Sequence, residues 1–183
     1  MKVALFGKMR SGKDTVGKIL IDEYHFKRFA FGDGIGEIIE KYFPEALAGG
    51  KPRKHYQHIG QELRVLNPDV WVNYLISNIK EFELVCKVFN MPEKVVITDG
   101  RQFNEAEKLR EEGFLIIKVT TPEELRLKRM KELGDVFSPE QLNHETELQV
   151  DMIQADIEII NDGSLDDLRS KVQKIVTEYK GEI

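Results

Sequence analysis

The residues of this chain best suited to chemistry lie in one run, Gly7-Lys8-Met9-Arg10-Ser11-Gly12-Lys13-Asp14-Thr15. Glycines at the first and sixth places let the backbone curl so that successive N–H groups face one point, where phosphate oxygens can be bound. The run follows the apolar stretch Val3-Ala4-Leu5-Phe6 and precedes a helical segment ending at Tyr24, whose positive end adds to the same point. Lys13 supplies a mobile charge for the outer phosphates. The spacing is that of G-x-x-x-x-G-K-[ST], with Asp14 in the last place. A tight turn that happens to carry a lysine is the plain alternative.

Three other places carry candidate groups. Thr98-Asp99-Gly100-Arg101 ends an apolar strand and offers a carboxylate for a Mg²⁺ shell, reached through water because Mg²⁺ is reluctant to dehydrate. Asp99 as a simple helix cap is the competing reading. Phe31-Gly32-Asp33 offers a second carboxylate, either a base or the cap of a helix expected from Ile35. Arg126 and Arg129, with Lys128 and Lys131 beside them, share one helical face after the fourth strand. They suit a lid that closes on phosphates, or merely a solvated charged face. Arg53, Lys54 and Arg64 form a further basic set, and Arg64 is the planar donor that would grip a second phosphate in two-pronged fashion.

The elements that must position these groups alternate. Strands are expected at Lys2–Phe6, Lys27–Phe31, Val95–Thr98, Phe114–Val119 and Ile157–Ile160. Helices are expected at Thr15–Tyr24, Ile35–Phe43, His55–Leu66, Asp69–Phe89, Glu105–Glu112, Pro122–Leu133, Ser138–Leu148 and Leu165–Tyr179, with a loop over Leu47–Pro52. Apolar strands alternating with helices indicate an α/β fold, a five-stranded parallel sheet with helices on both faces. Such sheets bind ligands at the carboxyl ends of their strands, where the phosphate loop, Asp33, Asp99 and Asn161 fall. Residues 33–91 hold three helices and no strand, an insertion expected to cover the site. Residues 121–148 would form the lid. Residues 1–183 read as one domain.

Composition narrows the classes. With 183 residues, 41% hydrophobic and 32% charged, the chain reads as a globular protein. The net charge of −5 argues against a general nucleic-acid binder. Cys86 is the single cysteine, so no internal disulfide forms, as suits a cytoplasmic protein. No signal peptide and no apolar run near the roughly 20 residues of a membrane span is expected. His55 and His58 have ligand spacing without a third ligand nearby.

Taken together, these residues resemble the P-loop nucleoside monophosphate kinase superfamily, and most closely its phage-type deoxynucleoside monophosphate kinases, over about residues 2–172. Gly7 to Thr15 is similar to the family's G-x-x-x-S-G-K-D-T. Tyr56 to Arg64, with Asn67-Pro68-Asp69-Val70-Trp71, resembles L-Q-x-x-G-x-E-x-x-R and N-P-D-x-W. Thr98 to Glu107 resembles T-D-x-R-x-x-N-E-A-E, His144-Glu145-Thr146-Glu147 resembles H-x-S-E, and Asn161-Asp162-Gly163-Ser164-Leu165 resembles N-D-G-S-L. The resemblance implies a P-loop kinase fold with a helical acceptor-binding insertion and a short lid, ATP and Mg²⁺ as cofactors, small-molecule nucleotide substrates, and a role in nucleotide biosynthesis. It implies ATP-dependent phosphoryl transfer to a (deoxy)nucleoside monophosphate. Gly7, Arg10, Ser11, Gly12, Lys13, Asp14 and Thr15 would bind ATP, with Asn161 and Gly163 near its adenine. Lys13, Asp99, Arg101, Arg126, Arg129 and Asp33 would be catalytic, and Asp14 and Asp99 would hold the metal. Arg64, Gln61, Arg53, Arg101 and Trp71 would bind the acceptor. Neither nucleic acid nor membrane is implied as a partner, and a homodimer is left open. Other acceptors, such as dephospho-coenzyme A or phosphomevalonate, and a nucleotide-binding module without transfer activity are the alternatives.

Overall fold

The structure is a computed structural model that describes residues 1–132 and 145–179. Its strands are β1 (Lys2–Phe6), β2 (Lys27–Phe29), β3 (Val95–Gly100), β4 (Leu115–Thr120) and β5 (Ile157–Ile160). Its helices are α1 (Lys13–Tyr24), α2 (Phe31–Tyr42), α3 (Arg53–Leu66), α4 (Val70–Phe89), α5 (Phe103–Glu111), α6 (Glu123–Glu132), α7 (Glu145–Met152) and α8 (Leu165–Glu178). A 3-10 turn spans Pro44–Gly49. Among the described residues no helix is long and apolar enough to cross a membrane.

The strands form one five-stranded parallel sheet in the order β2-β3-β1-β4-β5. After β1 the chain builds one side of the sheet, and after β3 it crosses to the other. The carboxyl end of β1 is therefore the point where strand order reverses, the usual ligand site of an open α/β sheet. Helices flank the sheet: α1 packs on β3 and α8, and α5 packs on β4 and α7. β1 is apolar throughout because both its faces are covered. Val3 and Leu5 join Val16, Ile19 and Leu20 of α1 and Val172 and Val176 of α8 in one core cluster. Ala4 and Phe6 are buried on the opposite face.

By its contacts the chain falls into two compact units, Met1–Arg28 with Glu93–Ile183, and Phe29–Pro92. The first holds the sheet. The second holds α2, α3 and α4 and contains the stretch 33–91. Within it Gly34 lies so close to Tyr74 that a Cβ would come within 2.8 Å of the ring. Phe29 and Phe82 meet edge to face at 5.8 Å.

Several boundaries differ from the sequence expectation. The second strand stops at Phe29, and Phe31-Gly32-Asp33 opens α2 instead of ending a strand. The reason is local: extended Ala30 starts the helix, and the Asp33 carboxylate accepts the Ala30 N–H at 3.0 Å. Part of the expected loop over Leu47–Pro52 is 3-10 helix begun by Pro44. The third strand continues through Gly100, with a register shift against β1 between Ala4 and Phe6. The fifth strand lies where expected. Leu133 and residues 138–144, with the middle of the expected lid, lie outside the described residues.

Candidate functional site

Beyond Phe6 the chain turns through the loop Gly7–Gly12, closed by the Ser11 N–H donating to the Lys8 carbonyl at 3.1 Å. Gly7 has no room for a side chain, since a Cβ would stand 2.6 Å from the Val119 carbonyl. Arg10 and Gly12 are left-handed, at φ 62° and 93°. Gly12 caps α1 and has no side chain to offer its first N–H groups, which therefore face outward with the positive end of the helix. Ser11 is 1% exposed, and among the described residues its hydroxyl has no hydrogen-bond partner. Unfilled backbone donors beside an unpartnered hydroxyl suit an anion, so the residues present fit a phosphate chain such as that of ATP.

Lys13 is 7% exposed. Its Nζ donates to the Thr98 carbonyl and lies 3.1 Å from Asp14 Oδ1. The ammonium thus stands between the loop and the end of β3, at the residue before Asp99. Asp14 is open to solvent and Asp99 half-buried. Mg²⁺ takes one or two carboxylates together with phosphate oxygens and water, and Asp14 beside Lys13 and Asp99 after Thr98 are the carboxylates nearest in sequence to the groups that the Lys13 ammonium touches. Among the described residues no group of three or more His, Cys, Asp or Glu could hold a metal. Arg101 follows on a backbone fixed by Glu105, whose buried Oε2 accepts the N–H groups of Arg101 at 2.9 Å and Gln102 at 3.0 Å. Glu105 was not singled out from the sequence, although Glu three places after an N-cap is the signal for such a bond.

The loop is held from behind. Asn161 and Gly163 were expected beside a base. The Asn161 side chain instead donates from Nδ2 to the Ser11 carbonyl at 2.9 Å and is nearly buried. A Cβ on Gly12 would meet that Nδ2 at 2.0 Å. Gly163 leaves space for the Asp167 carboxylate, which accepts the Ser164 N–H at 2.8 Å and caps α8. The bonds from Ser164 to that carboxylate hold the Asp167 pKa below its usual value. Thr121 places its hydroxyl 2.8 Å from the Ser11 carbonyl and 3.0 Å from that of Asn161. The arginines of the expected lid serve the same region. Buried Arg126 donates to the Met9 carbonyl at 3.4 Å, and Arg129 to Thr121 Oγ1 and the Asn161 carbonyl, both at 3.3 Å. Lys8 pairs with Asp151 of α7 at 2.6 Å. Sequence reasoning missed Thr121 in this role, Lys8 and Asp151.

In the second unit, α3 carries Arg53 in its first turn and Gln61 beside Gly60, both exposed. Arg64 Nη1 lies 3.4 Å from the Gly60 carbonyl, which also accepts the Trp71 indole N–H at 3.0 Å. Trp71 is 3% exposed and packs toward Gly34, so its ring serves the junction of α2, α3 and α4 instead of lying open to a ligand. Asp33 is engaged in the first turn of α2 as described above.

A family model described as an AAA domain matches residues 3–148. Among curated proteins none matches the chain. Three solved structures are similar over nearly their whole length. An unliganded sugar kinase from Janibacter sp. is 18% identical with a TM-score of 0.57, covering 94% of this chain and 92% of its own. Dephospho-CoA kinase from Campylobacter jejuni is 19% identical with a TM-score of 0.57, covering 100% of both chains. Shikimate kinase from Acinetobacter baumannii, in complex with shikimate, is 17% identical with a TM-score of 0.54, covering 98% of this chain and 94% of its own. At these identities the likeness is one of fold, the P-loop kinase fold.

Proposed function

The chain belongs to the AAA domain family, and from that premise we propose that it is a P-loop kinase that transfers the γ-phosphoryl group of ATP to a (deoxy)nucleoside monophosphate. The observation that carries this reading is the nearly buried Lys13 ammonium at the head of α1, beside the donors of the glycine loop. Lys13 would bind the transferring phosphoryl group more strongly as its charge develops. Asp14 and Asp99 would hold Mg²⁺, which would supply charge neutralisation at the phosphates. Arg101 would balance charge at the end of β3, and Arg64, with Gln61 and Arg53, would grip the acceptor phosphate. That acceptor is already an anion, so no strong base is needed and alignment carries the reaction.

A hydroxyl acceptor of the dephospho-coenzyme A kind is the second reading, favoured by the full-length likeness to the Campylobacter dephospho-CoA kinase. It needs a base, and the candidate, Asp33, already accepts the Ala30 N–H. One coupled ADP-release assay with ATP and Mg²⁺ decides. Release with a nucleoside or deoxynucleoside monophosphate is expected. Release with dephospho-coenzyme A alone moves the chain to the second reading. ATP binding without release on any acceptor makes it a binding module.

A further inference from the structure

Three backbone carbonyls around the loop are held by side chains from distant parts of the chain. The Ser11 carbonyl accepts the Asn161 amide and lies 2.8 Å from the Thr121 hydroxyl. The Met9 carbonyl accepts Arg126, and the Asn161 carbonyl accepts Arg129, which also donates to Thr121. A trans peptide holds its C=O and the next residue's N–H in one plane, pointing in opposite directions. Fixing the Ser11 carbonyl on Asn161 and Thr121 therefore aims the Gly12 N–H the opposite way. Fixing the Met9 carbonyl on Arg126 aims the Arg10 N–H in the same manner. Gly12 is left-handed, and Asn161 Nδ2 occupies the place its Cβ would need, so a side chain at position 12 would displace the amide.

We infer that Asn161 and Thr121 are positioning residues, which aim the loop amides at the nucleotide phosphates by anchoring the Ser11 carbonyl, with Arg129 bracing both from α6. Neither residue needs to touch ATP. The inference rests on the nucleotide-binding half of the proposed function and not on the acceptor. Phosphate binding by backbone donors demands that several N–H groups point at one place at once, and a glycine-rich loop has the freedom to turn any of them away. An anchor on the carbonyl side removes that freedom before the nucleotide arrives, so binding does not have to supply the ordering.

The test is titration of the whole chain with MgADP, paired with thermal unfolding without nucleotide. Thr121→Val keeps the shape and loses the hydroxyl, and Asn161→Ala loses the amide. Each is expected to weaken MgADP binding by about tenfold, the scale of one well-placed hydrogen bond. Thr121→Ser keeps the hydroxyl and is expected to bind as the unchanged chain does. The double variant Asn161→Ala with Thr121→Val should lose less than the product of the single losses, because both groups anchor one oxygen. A purely structural role would lower the unfolding midpoint and leave the affinity of the folded fraction unchanged, which overturns the inference. So does a Thr121→Ser variant as weak as Thr121→Val, since a retained hydroxyl that restores nothing places the effect in side-chain packing. A chain that binds MgADP and turns over no acceptor defeats the proposed function alone. Normal turnover with unaltered MgADP affinity in the variants defeats the positioning role alone.

Discussion

Lys13 separates folding from function at the level of a single side chain. Among the described residues its polar partners are one carbonyl and one exposed carboxylate, so the fold loses little when it is cut back. Lys13→Ala should lower turnover by about 100-fold or more, the usual scale for a lost electrostatic donor, with the unfolding midpoint nearly unmoved. Near-normal turnover would remove the loop from the reaction. Asp99→Asn keeps the side-chain shape and removes the charge. An Mg²⁺ titration of activity should shift to several-fold higher concentration, whereas an unchanged titration would leave Asp99 as part of the strand end only. Arg64 tests the acceptor. Lysine keeps the charge and loses the planar fork, so Arg64→Lys should raise KM for a nucleoside monophosphate and leave KM for ATP in place. If kcat falls as well, the contact tightens during transfer. If only the unfolding midpoint falls, Arg64 does no more than pack its stem and donate to Gly60.

At the scale of elements, close approach is the deciding feature, and it is tested where α1 lies on β3. A Cβ at Gly17 would come 2.9 Å from Thr98 Cγ2, and the carbonyl of the same threonine accepts Lys13. Gly17→Ala should therefore destabilise the chain by about 1 kcal/mol, although alanine is the better helix former by nearly that amount. Adding Thr98→Ser removes the obstructing methyl and should restore stability in urea unfolding; no recovery would place the strain elsewhere. The sequence displayed this layer well where the physics was local. β1 is apolar at every inner position because both its faces are covered, and β5 is bounded by residues that end strands, so both could be recognised. The start of α2 could not be, because Asp33 reaching back to Ala30 shifts the helix four residues earlier than its apolar spacing suggests. The backing of the loop was illegible for a different reason. Thr121 and Asn161 act through hydrogen bonds to a backbone carbonyl more than a hundred positions away in the chain, and a carbonyl leaves no mark in the residue type that carries it. The burial of Trp71 was hidden likewise, since its partner is the Gly60 carbonyl.

For the molecule as a whole, the net charge of −5 opposes an anionic ligand at long range, and binding then depends on the cations gathered near the loop. Lys8, Lys13, Arg126 and Arg129 all lie there in one unit. Screening by salt weakens both the general repulsion and the local attraction, but the nearly buried Lys13 and Arg126 are screened least. Nucleotide affinity should therefore persist at moderate ionic strength. A ligand that binds only the folded chain stabilises it by mass action, by about 2.7 kcal/mol at a hundredfold excess over its Kd. For a chain of this length that raises the unfolding midpoint by about 5–10 °C. MgATP and MgADP should both produce the shift, and adenosine, which has no phosphate, should produce almost none, because the loop offers its donors to phosphate oxygens. Lys13→Ala should keep the midpoint of the free chain and lose most of the shift at the same nucleotide concentration. An equal shift from adenosine would place the stabilising contact at the base and leave the glycine loop without the phosphate-binding role that its left-handed Gly12 and unpartnered Ser11 hydroxyl support.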